Sequence, residues 1–200
     1  KFWDVTSEGN FEGHSILNES FNLEFEKENN LNPKEFKLIL ERNKKKLLET
    51  RSKRIRPLRD DKVLTSWNCL YLRALANSAT AFQDKSLLDD AIKIYEFIQK
   101  RLFDSNCRLL RRYRNGEARF FGYLTDYAEL ALAGISLYKA TYDVKYIKSA
   151  HSMAEETIRL FISPSGAFYD TGSDGEELIR RSIDGYDGVE PSGNSSMAHV

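Results

Sequence analysis

The chain has 200 residues and a formal net charge of zero, with 30 Lys plus Arg against 30 Asp plus Glu. That balance gives no global pull toward nucleic acid or an anionic membrane, and 41% hydrophobic with 12% aromatic residues excludes a disordered chain. No apolar run approaches the ~20 residues of a membrane helix, no secretory signal opens the chain, and Cys69 and Cys107, the only cysteines, exclude a disulfide scaffold. The expectation is a globular cytoplasmic protein with no cofactor, no nucleic-acid partner and no membrane partner. Lys1 rather than Met stands first, so an upstream segment is expected.

From Lys1 to Asn32, Gly9, Asn10 and Gly13 punctuate a mixed stretch that reads as loop with a short strand. Asn32-Pro33 reads as an N-cap followed by proline at the first helical position. The helix it opens runs to about Arg54 and carries Phe36, Ile39, Leu40, Leu47 and Leu48. Nine basic residues and one acid, Glu49, lie between Arg42 and Arg59. With no aromatic residues interleaved, a solvated helix face is the better reading than a nucleic-acid patch.

Four helices follow. Ser66–Gln83 and Thr125–Tyr142 are apolar nearly all round, as helices buried on more than one side are. Ser86–Phe103 and Val144–Phe161 are one-sided; the latter sets Tyr146, Ile147, Ala150, Ala154, Ile158 and Phe161 against Lys148, Ser152, Glu155 and Glu156. Inner and outer helices therefore alternate, and the alternation repeats. Asp84 answers Asp143, Ala91 answers Ala150 and Leu102 answers Phe161, each pair 59 positions apart. This predicts an all-α fold of α-α hairpin repeats, a solenoid or a closed toroid, with short β-hairpins in its long loops. The inner-to-outer links near Asp84 and Asp143 are short, whereas Asp104–Leu124 and Ile162–Pro191 are long, so the long loops gather on one face. The chain ends at Ser192–Val200, where a further inner helix should start, and so reads as a piece of a larger protein.

Three segments enter inner helices from the loop face: Asp60–Asn68, Gly122–Tyr127 and Asp184–Asn194. Each brings a carboxylate and an aromatic ring to a helix start. Glycosidic cleavage uses paired carboxylates, aromatic faces stack on sugar rings, and arginine forks orient hydroxyls or carboxylates. The acid pair is expected from Asp61 or Asp126 with Asp187 or Glu190. Arg56, Trp67, Asn68, Tyr123, Tyr127, Tyr186 and Asn194 are expected to bind substrate, with Tyr113, Arg119 and Phe121 as further aromatic and cationic groups. Against this stands a structural reading, in which Ser66, Thr125 and Ser192 are N-caps and Asp60, Asp61 and Lys62 form an ion-pair knot. Asp170–Gly175 departs from a calcium loop at Gly172 and at Arg181 and reads as a solvated turn. His14, His151 and His199 lack ligand spacing, so no metal site is expected. Cys69 reads as a buried small hydrophobe, and Cys107 as a loop thiol near Arg108, Arg111 and Arg112.

Arg56-Pro57, Asp60-Asp61-Lys62 and Leu64-Thr65-Ser66-Trp67-Asn68 resemble motifs of the YyaL/spermatogenesis-associated protein 20 family of thioredoxin-domain-containing proteins. So do Gly9-Asn10-Phe11-Glu12-Gly13, Thr125-Asp126-Tyr127-Ala128, Asp187-Gly188 and Pro191-Ser192-Gly193-Asn194-Ser195. The order and approximate spacing match across nearly the whole chain, with Cys69 standing where glycine is expected. The resemblance implies that residues 1–200 are part of an (α/α)6 toroid of the six-hairpin glycosidase type, akin to N-acylglucosamine 2-epimerases. An upstream thioredoxin-like domain and the closing hairpins would lie outside it. It implies a carbohydrate-related role: glycoside hydrolysis, or sugar binding or epimerisation, at the loop face. The alternative is a non-catalytic scaffold or protein-binding domain coupled to a thioredoxin-like redox module. Open toroid edges lead to an expectation of self-association.

Overall fold

The structure, a computed structural model, describes residues 2–19 and 24–200. It divides into two compact units, Lys1–Arg59 and Asp60–Val200.

The first unit holds helices α1 (Phe25–Glu28) and α2 (Pro33–Ser52). The start of α2 is as read: the Asn32 side chain accepts the N–H groups of Lys34 and Glu35, and Pro33 occupies a position whose N–H would have no helical partner. Phe36 is buried, edge-on to Phe2 and stacked on Phe25 at 5.8 Å. The remainder of α2 is largely exposed, including its basic residues. Where a short strand was expected there is an isolated bridge between Phe11 and His14.

The second unit is built of helical hairpins. Strand β1 (Val63–Leu64) leads into α3 (Thr65–Phe82), which turns into α4 (Lys85–Arg101). Strands β2 (Leu110–Arg114) and β3 (Glu117–Phe121) follow, then α5 (Leu124–Thr141), α6 (Val144–Phe161) and α7 (Gly193–Met197). The inner helices α3, α5 and α7 pack side by side; α4 pairs with α3 and α6 with α5. Leu72, Ala76, Leu130, Ala131 and Leu137 are buried among them, and Tyr95 meets Tyr146 edge-on where α4 and α6 adjoin.

The 59-residue period is visible in the backbone. Gln83 and Tyr142 end the inner helices in the left-handed conformation, with φ of 54° and 56°. Asp84 and Asp143 then cap the outer helices by accepting the N–H groups of Ser86 and Lys145. Each outer helix is followed by the same bridge, Phe103 with Leu109 and Ile162 with Phe168. The N–H groups of Leu110 and Tyr169 likewise return to the carbonyls of Leu102 and Phe161.

Two expectations need correction. The buried stripe of α6 is Tyr146, Ala150, Met153, Thr157, Leu160 and Phe161, while Ile158 is exposed. The polar Thr157 is tolerated inside because its hydroxyl donates to the Met153 carbonyl at 2.7 Å. Ser66 and Thr125 are not caps either; they lie within the first turns of α3 and α5, whose N-caps are Leu64 and Tyr123. Ser192 does cap α7, accepting the Ser195 N–H.

The long loop between the hairpins supplies β2 and β3, which join β1 in an antiparallel sheet of order β1-β2-β3. Asn115 and Gly116 make its tight turn with φ of 52° and 84°, the left-handed pair a two-residue hairpin requires. The register sets Val63 opposite Tyr113 and Leu64 opposite Arg112, and the Thr65 hydroxyl donates to the Leu110 carbonyl at 2.6 Å. The sheet is thereby fastened to the start of α3.

Candidate functional site

Side-chain caps are missing from α3 and α5 because one carboxylate serves both. Asp126, fully buried, accepts the Ser66 N–H on Oδ1 at 3.0 Å and the Tyr123 N–H on Oδ2 at 2.9 Å. Arg111 of β2 donates to Oδ2 at 3.3 Å. Burial pushes the Asp126 carboxyl above the usual carboxylate range, opposed by the Tyr123 N–H, the Arg111 charge and the Ser66 N–H. The Arg111 guanidinium also lies over the Tyr123 ring, 4.4 Å from its centroid. Tyr123 itself is 43% exposed.

Tyr127 was expected to touch substrate, but its side chain is wholly buried. Its hydroxyl accepts from Arg108 Nη1 at 2.5 Å and from the Leu109 N–H at 3.1 Å. Arg108 is almost as deeply buried; it forks onto Asp174 through Nε at 2.8 Å and Nη2 at 3.2 Å, and its Cζ lies 4.9 Å from the centroid of the Phe121 ring. Asp174 belongs to the stretch read as a solvated turn, so that turn is in fact pinned to the core. Beside Tyr123 a recess of about 280 Å³ opens, lined among others by Phe121, Gly122, Thr171, Glu176 and Leu178. The Thr171 Oγ1 is buried with no hydrogen-bond partner among the described residues.

The third segment comes to the same helix starts. Gly193 sits so close to Leu124 that a Cβ there would lie 2.6 Å from the Leu124 Cγ. Glu190 accepts the Trp67 indole N–H at 2.7 Å, and Trp67 is 58% exposed. Asp187 accepts the Ser192 N–H at 2.9 Å; that bond, with those from the Ser195 and Ser192 side chains, holds its carboxyl below the usual range. Asn194 is engaged on both sides of its amide, accepting the Phe168 N–H and donating to the carbonyls of Phe168 and Asp184. Tyr186 projects at 80% exposure.

Asp61 pairs with Arg114 at 2.5 Å and Asp60 with Lys62 at 3.2 Å, so the ion-pair reading of that segment holds, with Arg114 as an added member. Asn68 donates to the Leu64 carbonyl within the first turn of α3. Arg56 lies in the first unit, exposed, beyond the end of α2. The structure thus brings Trp67, Tyr123, Asp126 and Glu190 to adjoining helix starts.

Three functional-looking groups were missed. Arg111 is one and Arg108 another. The third is Glu129, buried in the middle of α5 between Arg73 at 2.5 Å and the Ser196 hydroxyl at 2.6 Å. A signal for the last existed, since Arg73 is the single charge in α3 and Glu129 stands in an otherwise apolar stretch of α5. Cys69 lies between these layers, and burial, with the negative charges of Asp126 and Glu129, pushes its thiol well up. Among the described residues no cluster of His, Cys, Asp and Glu has the arrangement of a metal site, and no helix is long and apolar enough to cross a membrane.

Alternating inner and outer helices with their long loops on one face have the architecture of part of an α/α toroid, the fold of the solved structures that match the chain. Solved structures of that fold superpose on the chain. A GH76 alpha-mannanase of Bacteroides thetaiotaomicron matches with a TM-score of 0.52 and 20% identity over 57% of this chain and 34% of its own. Cellobiose 2-epimerase of Bacillus thermoamylovorans matches with a TM-score of 0.54 and 14% identity over 62% and 33%. A sugar epimerase from a ruminal bacterium matches with a TM-score of 0.53 and 18% identity over 70% and 38%. By sequence the chain is similar to spermatogenesis-associated protein 20, at 27% identity to the Homo sapiens protein and 26% to that of Mus musculus, each over 96% of this chain and 26% of the relative. An uncharacterised protein of Caenorhabditis elegans is 30% identical over 80% of this chain and 23% of its own length. The chain therefore spans about a quarter of the length of these relatives. No family model matches it.

Proposed function

We propose that the helix-start face of this chain binds a saccharide. The observation that carries the reading is the pairing of the exposed Trp67 ring with Glu190. An aromatic face and a hydrogen-bonding carboxylate side by side are what a sugar ring, apolar on its C–H face and polar at its rim, requires. The recess beside Tyr123 adds a second aromatic wall and, in Thr171, a buried hydroxyl without a partner among the described residues. Fold neighbours that act on mannans and cellobiose agree with this class of ligand.

Binding is favoured over hydrolysis. Of the four acids singled out, Asp126 has no exposed surface, Asp61 is held by Arg114 and Asp187 holds the start of α7. Glu190 is the one joined to an exposed aromatic ring, whereas cleavage needs two carboxylates at the bond.

A thermal-shift screen of the full-length protein against neutral and acidic mono- and oligosaccharides tests the reading, because a ligand of the native state raises the melting temperature by mass action. A shift with one sugar class that disappears in Trp67→Ala is expected. No shift across mannose-, glucose- and cellobiose-type ligands and their acidic derivatives overturns it and leaves the scaffold alternative. Turnover lost in both Glu190→Gln and Asp187→Asn would instead establish hydrolysis.

A further inference from the structure

Resting on that reading, we infer that Arg111 is an anion anchor and that the saccharide bound at this face carries a carboxylate or a phosphate. Arg111 is fixed on two sides. One guanidinium edge donates through Nη1 to the buried Asp126, and its plane lies over the Tyr123 ring. Its side chain is nevertheless 34% exposed. The Nε and Nη2 donors meet no acceptor among the described residues, and neither is fully buried. An arginine held by a buried carboxylate and a ring keeps little rotational freedom to lose when it binds. Its open edge is the planar fork that matches a carboxylate or phosphate.

Placement joins this fork to the aromatic site. Asp126, which accepts from Arg111, also accepts the N–H of Ser66, the residue preceding Trp67. Arg111, Tyr123 and Trp67 are therefore fastened to the same two helix starts. The acids of this face are mostly occupied: Asp61 by Arg114, Glu190 by Trp67 and Asp174 by Arg108. Glu176 lines the recess, so the anionic group belongs at the Arg111 edge and the sugar ring on the aromatic side.

The test is a binding titration of the full-length protein with glucose, glucuronate and glucose 6-phosphate, and with acetate and inorganic phosphate as anions without the sugar. An acidic sugar is expected to bind about tenfold more tightly than glucose, with an affinity that falls as salt is raised. Acetate and inorganic phosphate bind more weakly than the acidic sugars. Because Arg111→Gln leaves Asp126 short of a donor and can fail to fold, Arg111→Lys is the informative variant. It keeps a charge beside Asp126 but lacks the fork, so it loses the preference for the acidic sugar and keeps the affinity for glucose. Glucose binding that depends on Trp67 without any preference for the acidic sugars overturns this inference and leaves the saccharide reading standing. A preference that survives Arg111→Lys, or one matched by the simple anions, overturns it too. Failure of every sugar to bind overturns both.

Discussion

Asp126 joins two helices that meet only after 60 residues of intervening chain. Its two oxygens take one N–H from the first turn of α3 and one from the N-cap of α5, and Arg111 supplies the balancing charge. Tyr127, the next residue, works the same way one layer away, its hydroxyl receiving both Arg108 and the Leu109 N–H. Tyr127→Phe strands those two buried donors and should lower stability by about 1–3 kcal/mol. Saccharide affinity should stay unchanged because the ring does not reach the surface; chemical denaturation and titration of the same sample check both halves. Asp187 has the opposite setting, exposed and held low by the Ser192 N–H and neighbouring hydroxyls. A carboxylate with a depressed folded value stabilises the fold above its ordinary value of 3.8, and that contribution is lost as pH falls through the folded value. In Asp187→Asn the drop in melting temperature on acidification past that window should therefore be smaller than in the unsubstituted protein.

At the level of elements, α5 and α6 pack closely because Gly134 lets them. A Cβ at Gly134 would stand 2.9 Å from the Tyr146 carbonyl oxygen and 3.2 Å from the Ala150 Cβ. Gly134→Ala gains about 1 kcal/mol of helix propensity and incurs about 1–3 kcal/mol of overpacking against backbone that cannot yield. The expected outcome is net destabilisation, read as a lower denaturation midpoint; a higher one would show that the hairpin can spread at no cost. The helices and their period were legible in the sequence because each inner helix is apolar nearly all round and each inner-to-outer turn is short. The caps were not. Ser66 and Thr125 have the residue types of N-caps, yet Asp126, the residue after Thr125, serves both helix starts, and nothing local to Ser66 reports that. The stripe of α6 was misplaced for a related reason: Thr157 counts as polar until its hydroxyl is seen to bond back to Met153.

Over the whole molecule, the same difference separates what the sequence could show of the site. Residue types at the loop face were readable, and Trp67, Tyr123 and Glu190 are where the helix-start argument puts them. Pairings across long stretches of chain were not readable: Arg108 with Asp174, Glu129 with Ser196, Trp67 with Glu190. Those pairings decide which acids are spent on holding the fold and which stand beside an open ring. They turn an expectation of two-carboxylate hydrolysis into a proposal of saccharide binding with an arginine at one end. The fold shared with a mannanase and sugar epimerases is compatible with either chemistry, since one architecture carries many activities.

The most direct test of the central claim is a fluorescence titration of the full-length protein with the saccharide that gives the largest thermal shift, beside the Trp67→Phe variant. A sugar ring stacking on Trp67 changes the environment of the indole and competes with its bond to Glu190. A saturable change in indole emission, absent from Trp67→Phe, is the predicted result. An identical signal in both proteins, or saturable binding by calorimetry with no change in emission, would contradict it.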